Sequence, residues 1–324
     1  MTTTTASPTR TQTGTRAVSG RVDNTTTGRL DRTAAVPLDR TVEVPLDRTT
    51  SPSGLGARAA VFTIATTVLT GLALVPVIGG WLPDDSVTAV LPLAQLIPLL
   101  VAVVLHQVQS PPKERLTRVL AARTSWGHLR WGLALATVVA LAVPVGQVVV
   151  ASLAGWSPWG PSAQAKAVVG LVPVLALVAA VSAIGEELGW RGYLQSITAG
   201  WGFWRSAAVV SVAWTAFHLP LMAFYVTTDA MSGRAIAAAL LNIAFASFAL
   251  SALRDRMGSA WPAVWAHGLL NSAVVWLHSS AGQVGGFGDG AFWAFAATGW
   301  IGWLLTAAIV RRHPEPALRP DSRQ

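Results

Sequence analysis

The chain has 324 residues, of which 52% are hydrophobic and only 12% charged, with a formal net charge of +8. Soluble domains carry roughly 25% charged residues, so the composition argues against a soluble globule and for an integral membrane protein. The absence of cysteine excludes disulfides, thiolate metal ligands and a cysteine nucleophile. The basic residues are scattered over loops and ends rather than gathered on one face, so nucleic acid is not the expected partner.

Residues 1–55 are rich in Thr, Ser, Arg and Asp and repeat LDRT at 30–33, 38–41 and 46–49. Polar octets of this kind cannot bury a core, so the segment reads as a disordered cytosolic tail, with a docking role as an alternative. From Arg58 onward the apolar runs come in blocks of helix-crossing length. They predict spans near 59–81, 86–107, 130–153, 165–188, 206–226, 235–253, 260–280 and 291–310. The expected fold is therefore an all-α, polytopic membrane bundle of about eight helices over residues 56–312. Residues 313–324 follow as a cytosolic C-terminal tail.

Basic residues orient the bundle. With both termini in the cytosol, all but Lys166 and Arg234 of the 23 Lys and Arg residues fall inside, while Asp84, Asp85, Asp229 and Asp289 fall outside. That satisfies the positive-inside rule for a multi-pass protein of the plasma membrane.

Ionisable groups at membrane depth are costly and demand an explanation. The fourth span is uncharged from Ala167 to Gly185 and then reads GEELGWRGYLQ. Glu187 and Arg191 lie at i and i+4, the favourable order for an intrahelical ion pair. Glu186 is turned about 100° from Glu187 and has no partner four residues away, which leaves it free to act elsewhere, as a general base. His218 lies in the fifth span, in WTAFHLPLM, and the seventh contains His267 and Asn271 in WAHGLLN, again at i and i+4. All four polar positions can meet in the cytosolic half of a bundle. A proton acceptor, two imidazoles and an amide suffice to activate water and stabilise an oxyanion. Taken singly, each also has a structural reading: a helix-end ion pair, or hydrogen bonds between helices.

These residues, in this order, resemble the CPBP family of CAAX-processing and bacteriocin-processing intramembrane endopeptidases. The family's EExxxR matches Glu186, Glu187 and Arg191, and its HxxxN matches His267 and Asn271. Its FxxxH matches in part, because Trp214 stands where Phe is usual, before His218. The likeness covers roughly residues 165–280. It implies a helical domain with a cavity open to the cytosol and hydrolysis of a peptide bond in a membrane-associated or lipidated protein or peptide. Carried over, Glu186 is the base acting on water, oriented by His218 and His267, and Asn271 binds the oxyanion. Glu187, Arg191 and Trp214 support the cavity.

Two histidines and a glutamate are a known zinc set, so Glu186, His218 and His267 are the metal ligands if Zn2+ takes part. HExxH is absent, however, and no Asp or Glu is evident beside either histidine to orient it. A metal-dependent and a metal-free glutamate protease both remain open. The competing reading is a non-catalytic scaffold or bacteriocin-immunity-type protein using the same cavity. Proton-linked transport is a third, but no inverted repeat supports it.

Overall fold

A computed structural model describes residues 52–109, 116–157, 160, 162–281 and 284–312. The expected tails lie outside the described residues, apart from the first residues of the opening helix, which starts at Pro52. No strand occurs among the described residues. Helix α1 is Pro52–Ile78. The second span is divided into α2, Val87–Ala94, and α3, Ile97–Gln109. Short α4, Leu116–Val119, leads to the long α5, Trp126–Leu153. Short α6, Ala163–Val168, precedes α7, Val172–Glu187, and after a π-helical stretch α8 covers Gln195–Thr198. Then come α9, Phe203–Thr227, α10, Gly233–Met257, α11, Trp261–Leu269, and α12, Asp289–Arg312.

Among the described residues, seven helical stretches are long and apolar enough to cross a membrane. The segment expected as the seventh span is helical too, but it passes from α11 into π turns at Leu270–Val274 and Leu277–Ala281. The chain is thus a polytopic helical bundle and an integral, multi-pass membrane protein.

The burial pattern suits a lipid solvent. Large apolar side chains such as Ile64, Leu72, Leu100, Val174 and Ile301 are exposed on the outside. The interior instead encloses Glu186, Glu187, Arg191, Gln195, Ser247, Arg254 and His267. With no hydrophobic force between helices in lipid, packing depends on small residues and interhelical hydrogen bonds. At Gly268 on α11, a Cβ would come within 2.6 Å of the Ala176 carbonyl and 2.7 Å of Ala180 Cβ. Glycine there lets α11 lie directly on the alanine face of α7. Gly189 similarly admits Pro98, since a Cβ would stand 2.5 Å from Pro98 Cβ.

The break in the second span has a local cause. Proline carries no amide proton, so Pro98 cannot bond back to the carbonyl of Ala94, and the helix opens at Gln95 and Leu96. The turn packs on the α7 backbone at Gly185.

Candidate active site

Glu186 and Glu187 are the last residues of α7, and Leu188–Leu194 continues as a π-helix. Such wide turns cluster at functional sites, and their pitch keeps residues four apart on one face. Arg191 Nη1 donates to Glu187 Oε1 at 2.8 Å, with both side chains fully buried. Arg191 Nη2 donates to Ser247 Oγ at 3.0 Å, and the guanidinium lies 4.2 Å from the centre of the Trp214 ring. Arg254 on α10 fixes the same turn, donating from Nε to the Arg191 carbonyl at 3.0 Å and from Nη2 to Ser196 Oγ at 2.7 Å.

Glu187 has a second partner. His267 Nδ1 lies 2.8 Å from Glu187 Oε1. A carboxylate already paired with arginine is an acceptor, so Nδ1 carries the proton. The expectation that no carboxylate stands beside either histidine is therefore corrected. The pairing spans 80 positions and depends on α11 lying against α7, which no local spacing reveals.

Glu186 is as deeply buried, 1% exposed, and looks the other way. Its Oε2 accepts from Trp214 Nε1 at 2.6 Å and its Oε1 from Gln95 Nε2 at 2.8 Å. It lacks an intrahelical partner, as its rotation implied, but it is held by two donors from other helices. His218, one turn beyond Trp214, donates from Nδ1 to the Trp214 carbonyl at 2.8 Å. The rings of both histidines meet Trp214 edge-on, with centroids 5.6 Å away for His218 and 5.2 Å for His267. Trp214 is thus more than an aromatic stand-in for phenylalanine. Its indole N–H reaches a carboxylate that a phenylalanine could not bond.

Glu186, Glu187, Arg191, Trp214, His218 and His267 are therefore one cluster. Asn271 is set apart from their hydrogen bonds. It is exposed on the wall of a groove of about 480 Å³, where Gln95 and Ser182 also stand and where Leu175, Val178 and Val275 make an apolar lining. Sequence reasoning missed Gln95 and Ser182. The available signal for Gln95 was a lone amide between Pro92 and Pro98 in an otherwise apolar run.

A zinc ion on Glu186, His218 and His267 would share the carboxylate with Trp214 and Gln95, which donate to one Glu186 oxygen each. Among the described residues, no group of three or more His, Asp or Glu is arranged to hold a metal.

Residues 168–273 match the family model described as Type II CAAX prenyl endopeptidase Rce1-like. Over that segment the chain is similar to this family, which is consistent with a CPBP member. The matched segment contains every motif residue from Glu186 to Asn271 and excludes Gln95. The match supports intramembrane protease activity in general terms. No curated protein and no solved structure matches the chain.

Proposed function

We propose that the protein is an intramembrane endopeptidase in which Glu186 activates the attacking water. The observation that carries this reading is the contrast between two adjacent carboxylates. Glu187 is bound to Arg191 and His267 on its Oε1, whereas Glu186 accepts only from the neutral donors of Trp214 and Gln95. A carboxylate offers about four lone-pair sites, so Glu186 keeps capacity to accept from a water. Trp214 and Gln95 fix its orientation, and the bonds of Nδ1 in both histidines leave each Nε2 to orient that water.

In the reaction the water oxygen bonds to the scissile carbonyl carbon while its proton passes to Glu186. The developing oxyanion is met by Asn271. Glu186 then returns the proton to the leaving nitrogen as the C–N bond breaks, which restores the carboxylate. The groove suits a substrate that arrives with an apolar or lipid-modified segment, because Leu175, Val178, Val275 and Trp276 line it beside the polar Gln95, Asn271 and three serines. With both termini in the cytosol, as the basic residues favour, the site opens toward that side.

The test is cleavage of quenched, lipid-modified CAAX-type peptides by the purified protein in detergent, with wild type beside His218→Ala, each with and without phenanthroline. Cleavage by wild type that His218→Ala abolishes supports the reading, and loss with chelator would add a metal to it. Wild type and variant cleaving alike would overturn the assignment. Silence of both would favour the scaffold or immunity-type alternative.

A further inference from the structure

We propose that Gln95 is a further catalytic residue, a second amide donor that lines the groove together with Asn271 and serves the substrate carbonyl as well as Glu186. This rests on the reading of Glu186 as the base. The family match begins at residue 168, so nothing in the motif pattern assigns a role to Gln95.

Three observations carry it. The amide is oriented without ambiguity: Glu186 Oε1 accepts, so the nitrogen must face it at 2.8 Å, and the oxygen then accepts from Ser182 Oγ. A primary amide has two N–H groups, and only one is used on Glu186. Gln95 is also half-buried and lines the same groove as Asn271, so the amide joins the groove to the buried Glu186 and has a second N–H to offer a substrate. The helix break explains the placement. Opening at Gln95 and Leu96 brings this turn onto the α7 backbone at Gly185, immediately before the catalytic carboxylate.

In this arrangement the amide does two things. It holds the base in position, and it donates to the carbonyl oxygen as negative charge develops there, sharing that charge with Asn271. Loss of one oxyanion donor typically costs about 10²–10³ in kcat. Gln95→Met keeps length and volume while removing both N–H groups, so it is the first variant.

The experiment measures kcat and KM for wild type, Gln95→Met, Asn271→Ala and the double variant on the lipopeptide. A second arm measures binding of a lipopeptide carrying a hydroxyethylene group in place of the scissile amide. Gln95→Met is expected to lower kcat about 10²-fold with a smaller change in KM, to weaken the hydroxyethylene ligand, and to be less than additive with Asn271→Ala. Should Gln95→Met lose its folded elution profile, Ser182→Ala replaces it. That variant frees the amide to turn and is expected to lower kcat several-fold. An unchanged kcat in the folded variant, or strict additivity with Asn271→Ala, would overturn the role of Gln95 while leaving the endopeptidase reading intact. A wild type that neither cleaves nor binds the hydroxyethylene ligand overturns both. A silent wild type that binds it equally well as Gln95→Met overturns the role of Gln95 by itself.

Discussion

The two halves of the fourth span differ as if they belonged to different proteins. Through Val172–Ile184 the helix buries only Ala176, Ala180 and Ala183, and Val174, Leu175, Leu177, Val178 and Val181 are exposed. From Gly185 to Thr198 every residue is buried, among them two carboxylates, an arginine, a glutamine and three hydroxyl residues. The first half presents an apolar surface to lipid and to the groove, and a narrow alanine face to α11. The second half is enclosed on all sides, and each of its charges has a named partner. A membrane helix can therefore carry ionisable groups when the protein, rather than lipid, surrounds that part of it.

The sharpest way to break this contrast is to remove the cation from the enclosed half. Arg191→Leu leaves Glu187 as a buried charge short of its arginine and strips the Trp214 ring of its stacked guanidinium. Breaking a buried pair in this way costs about 3–5 kcal/mol, so thermal unfolding in detergent should show a large loss of stability. Gly189→Ala tests the enclosure rather than the charge. Its Cβ would press on Pro98, and overpacking of this kind costs about 1–3 kcal/mol, which the same melting experiment detects.

Trp214→Phe restores the usual family aromatic and keeps a ring between the histidines, but it removes the indole donor to Glu186. A hydrogen bond to a charged group is worth about 1.5–3 kcal/mol, and only part of that is expressed in the reaction, so kcat should fall about tenfold while the fold persists. The smallest effect belongs to the exposed half. Val174→Leu, on a side chain 60% exposed, should shift stability by no more than about 0.5 kcal/mol. A loss there as large as that of Gly189→Ala would mean that this face is covered by protein.

The spans were legible because each is a run of apolar residues long enough to cross a bilayer, and that signal is local. The Glu187–Arg191 pair was legible for the same reason, being a matter of one helical turn. Gln95 was not, because a single amide in an apolar run carries no periodicity, and its value comes from a carboxylate 91 positions away. The bond from His267 to Glu187 was hidden likewise, and so was the donor role of Trp214, which depends on how α9 faces α7. The π turns after Glu187 and after Leu269 were also invisible, since tertiary packing rather than composition decides where a helix widens.

The most direct measurement is lipopeptide cleavage by Glu186→Gln set against Glu187→Gln, with the melting temperature of each recorded. If Glu186 is the base, Glu186→Gln should stay folded and lose about 10²–10⁴-fold in kcat, in line with the general-base contribution. Glu187→Gln should lose stability first, because Arg191 would be left buried without its counter-charge. Cleavage by Glu186→Gln at the wild-type rate would contradict the assignment of the two carboxylates.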